Sequence, residues 1–199
     1  MPDLNAFNKD IITQVRALES ILKQSPLIQM ALGCADELNM PNWYLGAGCV
    51  AQTVWNYLCG RELTLHINDL DLVYFDQNNL SKESESLYID EARKLLKNIR
   101  IKIDIKNQAS VYLWYEDYFG YSISPYQSIE EAINTWPTTA TCVAVKYVGD
   151  NFIVYTPYGL NDLFGMTVRP NKTQITQEIY MNKVARWKDC WPKLKIIPW

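Results

Sequence analysis

Asp69 and Asp71 stand two residues apart in the string Asn68-Asp69-Leu70-Asp71-Leu72-Val73-Tyr74-Phe75. In an extended strand alternate side chains share a face. Both carboxylates therefore point one way while Leu70 and Leu72 point the other. Two like charges held side by side repel unless a cation lies between them. Mg²⁺ (or Mn²⁺) suits such a pair, because it takes carboxylate oxygens and keeps positions open for phosphate oxygens. An acidic pair inside an apolar strand is costly without a purpose; the plain alternative is a strand end facing solvent. Asp104 lies in a second alternating run, Ile101-Lys102-Ile103-Asp104-Ile105-Lys106. If the two strands are neighbours, Asp104 faces the same cations. Three carboxylates can hold two metal ions about 3.5–4 Å apart for in-line phosphoryl displacement. Otherwise Asp104 is a surface residue on an edge strand. Upstream, Gly46-Ala47-Gly48 closes a strand and opens a helix. Such a turn lets backbone N–H groups and the helix dipole meet a phosphate, or it is an ordinary tight turn. The third glycine of a dinucleotide fingerprint and the Gly-Lys-Ser ending of a P-loop are both absent.

Weaker candidates surround these. Asn107 and Gln108 can bond a base or ribose, or cap the helix that follows. Asp162 and Arg169 read as a structural ion pair, Trp136 and Tyr158 as core residues that could instead stack on a base. The single histidine, His66, has no metal-ligand spacing and receives no role. Lys183, Arg186, Lys188, Lys193 and Lys195 make the C-terminus mildly basic, and read as a solvated helix face.

The elements that must position the acids follow from periodicity. Helices are expected over residues 6–24 and 26–38. A short buried strand over 42–46 leads through the glycine turn to a helix ending at Gly60. Strands are expected at 69–75 and 99–105, with an amphipathic helix at 82–97 between them. A short helix at 128–134 begins with the capping pair Ser128 and Glu131. Strands at 139–148 and 152–155 join through Gly149-Asp150-Asn151 as a hairpin, and a helix over 173–190 closes the chain. The simplest layout is one mixed α/β (α+β) sheet of about five strands with flanking helices. Residues 1–40 form a helical segment packed on the core, and 41–199 a single compact unit.

With 199 residues, 48% hydrophobic and 21% charged, the chain is long and apolar enough to bury a substantial core, which excludes a disordered protein. A net charge of −3 argues against a long nucleic acid partner, which usually meets a basic surplus. No apolar run is long enough for a membrane span, and the five scattered cysteines read as reduced thiols of a cytoplasmic protein.

The strings Trp43-Tyr44-Leu45-Gly46-Ala47-Gly48, Thr53-Val54-Trp55 and Asn68-Asp69-Leu70-Asp71 resemble a bacterial nucleotidyltransferase-like family, formerly a domain of unknown function, within the polymerase-β-like superfamily. The likeness continues through Lys106-Asn107-Gln108-Ala109, Trp136-Pro137-Thr138-Thr139, Thr156-Pro157-Tyr158-Gly159 and Trp191-Pro192-Lys193-Leu194. It implies a fold similar to the head domain of CCA-adding enzymes. It implies metal ligation by Asp69 and Asp71 with Asp104 as the third acid, triphosphate contact at Gly46 and Gly48, and an NTP as substrate. The family pattern has a basic residue where this chain has Ala51, and Arg and His where Ser110 and Tyr112 stand; the spacing from Gly48 to Asp69 is also longer than usual. Two expectations result. One is a Mg²⁺-dependent transfer of a nucleotidyl group to an acceptor hydroxyl on a small molecule or protein. The other is a module of the same fold that holds nucleotide without turnover. A basic side chain at position 51 is expected to sit near the phosphates, unless residue 51 points into the core.

Overall fold

The computed structural model describes residues 4–199. The elements run α1 (Ile11–Leu22), α2 (Pro26–Glu37), β1 (Tyr44–Gly46), α3 (Gly48–Leu58), β2 (Asp69–Tyr74), α4 (Lys82–Leu95), β3 (Lys102–Asn107), α5 (Tyr112–Phe119), α6 (Ile129–Ile133), β4 (Ala144–Val148), β5 (Asn151–Tyr155), α7 (Asn161–Phe164), β6 (Thr167–Val168), α8 (Gln177–Cys190) and β7 (Lys195–Ile196). Five strands form one mixed sheet in the order β3-β2-β1-β4-β5, and β6 pairs with β7 in a small second sheet. Only β2 and β3 run parallel within the large sheet. A parallel pair needs a crossover connection, and α4 supplies it.

Alternation along the strands divides the core in two. Leu45, Leu70, Leu72, Tyr74, Ile103 and Ile105 face the larger cluster, which α1, α2, α3 and α8 complete. Tyr44, Val73, Phe75 and Ala144 face a smaller cluster built with α5 and α6. The axis of the large core is α3, buried from Cys49 to Tyr57. Two of its polar residues, Thr53 and Asn56, are tied internally. Thr53 Oγ1 donates to Cys49 O, Asn56 Nδ2 donates to the carbonyls of Leu63 and Leu65, and Asn56 Oδ1 accepts from Trp191 Nε1. Local caps start the other long helices, with Asp10, Ser25, Ser81 and Thr176 accepting backbone N–H groups in their first turns.

Several expected boundaries move for local reasons. Residues 139–141 form a 3-10 turn and not a strand, because the Thr138 and Thr141 hydroxyls bond each other at 2.8 Å and Thr139 Oγ1 donates to Asp162. The strand expected from residue 99 begins at Lys102, since Ile99 N closes a turn onto Leu96 O. The last helix begins at Gln177, because Asn171 Oδ1 accepts from both the backbone and the hydroxyl of Thr173. The helix expected after Asn107 and Gln108 comes as a 3-10 turn over Gln108–Ser110, which Asn107 caps, and then α5, whose bounds were not foreseen. Its apolar residues lie nearly all round, so no stripe marks it.

Candidate active site

β1 ends at Gly46 and α3 begins at Gly48, with Ala47 between them at φ 56° and ψ −126°. A side chain with a Cβ rarely adopts that conformation, at a cost of roughly 1–3 kcal/mol. It is held by Ala47 N donating to Val143 O at 3.0 Å. The turn brings the start of α3 to the acidic strand: a Cβ at Gly48 would lie 3.8 Å from Asp71 Oδ2 and 3.2 Å from Gln52 Nε2. Gly46 lacks a side chain for a different reason. The place of its missing side chain is filled by the Trp136 ring, at 2.7 Å, and Val143 O, at 2.9 Å.

Asp71 has Gly46 as its register partner on β1 and Asp104 as its partner on β3. The three acids therefore share one sheet face, with Asp69 two residues away on the same side. Asp71 is half-buried. Burial, then the charge of Asp69, pushes its carboxyl up to about 7, against partial relief from Lys183. That is the signature of a carboxylate pair short of positive charge, and its hard oxygen donors fit a divalent cation. The third acid is paired with lysines. Asp104 Oδ2 lies 3.4 Å from Lys102 Nζ and Oδ1 lies 3.5 Å from Lys106 Nζ. Consistent with this, no group of three or more His, Cys, Asp or Glu side chains converges as a metal cage among the described residues.

The positive charge comes from an element that the sequence placed in solvent. Lys183, on α8, is half-buried, with its ammonium 5.1 Å from the centre of the Trp187 ring. Burial lowers its pKa, while Asp71 and Asp69 act in the opposite direction. Its place was legible: Tyr180, Val184 and Trp187 are the buried stripe of α8, and Lys183 falls within that spacing. Ala51 is fully buried in the large core. The side chain facing the acids is Gln52, one turn on from Gly48. It is 6% exposed, and its Oε1 has no hydrogen-bond partner. A basic residue at 51 would thus have pointed at the core and not at a phosphate.

Asn107 and Gln108 separate. Asn107 Oδ1 accepts from the backbone of Asp76 and Ala109, and its Nδ2 donates to the carbonyls of Asp76 and Asn79. The amide is fully used in holding the loop, which leaves it nothing for the expected nucleotide. Gln108 instead lines a cleft of about 340 Å³ with Lys106, Trp114, Trp136 and Lys183. A wider hollow of about 630 Å³ adjoins it on the Asp104 side, sharing Lys106 and Trp114. Asp162 and Arg169 pair at 3.1 Å, away from the acids. Tyr158 bonds Asn134 O and Asn171, and His66 packs edge-on against Trp191. All five cysteines are free. No helix among the described residues is long and apolar enough to cross a membrane.

A family model described as Nucleotidyltransferase matches residues 33–196. A solved structure described as "The NMR structure of the protein reveals a CCA-adding enzyme head domain" superposes with a TM-score of 0.78 at 23% identity, covering 98% of this chain and 100% of that one. At that identity the likeness shows the fold: the mixed five-stranded sheet with flanking helices is that of a nucleotidyltransferase head domain. No curated protein matches the chain.

Proposed function

The chain belongs to the nucleotidyltransferase family, whose model spans residues 33–196, and from that premise we propose that it moves a nucleoside monophosphate group from an NTP to an acceptor hydroxyl. The observation that carries the reading is the row Gly46, Asp71, Asp104 across three adjacent strands, with the N-terminus of α3 directed at Asp71. Asp69 and Asp71 would hold Mg²⁺ or Mn²⁺, with Asp104 as the third ligand once its carboxylate swings from the lysines. When bound, such a cation offsets the charge of phosphate oxygens and of the leaving pyrophosphate. The chain's own groups do the rest. The α3 N-terminus, starting at Gly48, turns N–H groups toward the phosphates. Lys183 adds the positive charge that α3 lacks. Asp104 accepts the proton of the attacking hydroxyl. The new bond joins the acceptor oxygen to the α-phosphorus, and the bond to pyrophosphate breaks.

The acceptor we propose is a small molecule or a protein hydroxyl in the cytoplasm. The net charge of −3 supports this, since a grip on long nucleic acid needs a basic surface. The CCA-adding likeness makes an RNA end the outcome to test against it. A second reading, a module that holds nucleotide without turnover, draws on Asp104 being turned onto Lys102 and Lys106. Incubating the protein with each of four NTPs and Mg²⁺ or Mn²⁺ separates the readings. Pyrophosphate release that Asp71→Asn abolishes supports transfer. Nucleotide binding without pyrophosphate supports the module. No nucleotide binding overturns both.

A further inference from the structure

The acid face of the sheet is only half covered. Between the acids and the α5–α6 cluster lies the 340 Å³ cleft, and Gln108 is one of its walls. Gln108 is 8% exposed, yet its side-chain amide makes no hydrogen bond to any described residue. The side chain is held by its surroundings while its amide opens into the cleft, where it is free to bond a ligand. The cleft's other walls are of two kinds. Trp114, Tyr115 and Trp136 are flat apolar surfaces, and Lys106 and Lys183 are cations. Lys183 is also the residue that interacts with Asp71 and Asp69, and Trp136 is the ring lying over Gly46 beside Asp71. Two of the cleft's walls thus belong also to the surroundings of the acids.

We propose that this cleft takes the planar base of the nucleotide, stacked on its aromatic walls and read by the Gln108 amide. The inference rests on the reading of the acids given above and names the part of the substrate they do not touch. A glutamine amide presents a donor and an acceptor side by side, which matches the adjacent donor and acceptor on a base edge. Aromatic walls add stacking that every base can use. The volume decides the rest: about 340 Å³ is at the lower end for ligand pockets. It holds a base with its ribose and leaves the triphosphate outside, toward Lys183 and the acids. Lys183, which acts on Asp71 and Asp69, gives the ligand a direction, its phosphates toward that cation.

Calorimetry in Mg²⁺ with two probes tests this, each of the four NTPs and inorganic tripolyphosphate. The wild type is expected to bind at least one NTP roughly tenfold or more tighter than tripolyphosphate. Gln108→Leu, close in size and free of the unpartnered amide, is expected to melt no lower than the wild type. It is expected to lose that preference while binding tripolyphosphate unchanged. Trp114→Leu, at a half-exposed position, is expected to do the same without touching the amide. Equal affinity of the wild type for NTPs and tripolyphosphate overturns the base cleft while leaving the acids' role intact. So does a folded Gln108→Leu that keeps the NTP preference. Loss of binding to both probes in Asp71→Asn supports the acids. Absence of any binding by the wild type overturns the reading of the acids and the cleft with it.

Discussion

The two faces of β2 are made from interleaved residues of one six-residue strand, yet they are governed by different rules. On one face Leu70, Leu72 and Tyr74 are fully buried under α1, α2 and α3. On the other, Asp69 and Asp71 stand half-buried, and only Val73 beyond them reaches the smaller core. The closed face spends its residues on packing, so its value is stability. The open face carries a strained Ala47, like charges side by side and the unpartnered Gln52 Oε1. All of these weigh against stability; the closed face has its own cost in the unpartnered Trp55 Nε1, Tyr74 hydroxyl and Trp187 Nε1, but no charge conflict. A fold holds such features only where the rest of the structure over-determines them, which here is the large core beneath.

The contrast is tested most strongly by truncating the closed face. Leu70→Ala leaves a cavity under α3, and the expected loss is about 2–5 kcal/mol. For a chain of this size that lowers Tm by roughly 5–15 °C. The matching change on the open face, Asp71→Asn, has the reverse pattern. Tm is expected to hold or rise, because a buried like charge is removed. Pyrophosphate release is expected to fall by roughly a hundredfold or more, the scale of losing a group that stabilises the transition state. If Asp71→Asn melts far below the wild type with activity per folded molecule unchanged, the two faces are not divided as described.

A pH series sharpens the same point. The Asp71 carboxyl is raised to about 7 in the folded chain, from an ordinary 3.8. A group whose folded pKa exceeds its unfolded one binds more protons when folded between those values, so stability falls as pH rises through the window. With divalent ions chelated, the wild type is expected to lose Tm relative to Asp71→Asn from about pH 4 to about pH 7. The gap then stays constant above pH 7. Saturating Mg²⁺ is expected to close it, because the cation favours the ionised form. Parallel melting curves across pH 4–8 in the chelated proteins would remove the charge conflict from the account.

Much of this was legible in the sequence, and what was not fails for physical reasons. Strict alternation gave both acid-bearing strands but left open whether they were neighbours; the structure pairs them, Asp104 opposite Asp71. The turn residues gave the β4–β5 hairpin, whose last pair is Val148 with Asn151. Lys183 was read by its charge as solvated, although the spacing of Tyr180, Val184 and Trp187 already put it on the covered side of α8. Periodicity gave the side, and only the fold shows that the acids lie there. Periodicity does not separate Asn107 from Gln108. Both are polar residues at a strand end, and only the loop over residues 76–79 decides that Asn107 is consumed and Gln108 is left. The open face was read by residue type and the closed face by pattern, and pattern was the more reliable guide.

The smallest effect concerns a single turn of α3, where the sequence points to residue 51 and the structure to residue 52. Ala51 is wholly enclosed by the large core, so Ala51→Arg belongs with the closed face. It is expected to lower Tm sharply, as burying an unpaired charge does, and to reveal nothing about phosphate. Gln52 has its Nε2 beside Gly48 and its Oε1 without a partner, so its substitutions belong with the open face. Gln52→Glu keeps the size and adds a negative charge next to Asp71. The added carboxylate repels a triphosphate and attracts a bare cation. NTP affinity is therefore expected to fall by roughly tenfold, about 1.4 kcal/mol, while affinity for Mn²⁺ alone rises. Both are read by calorimetry on one preparation. If both affinities stay at wild-type values in a folded Gln52→Glu, the start of α3 does not face the phosphates. A fall in both would instead mean that the new carboxylate disturbs the fold around Asp71, which the melting temperature of the same sample reports directly.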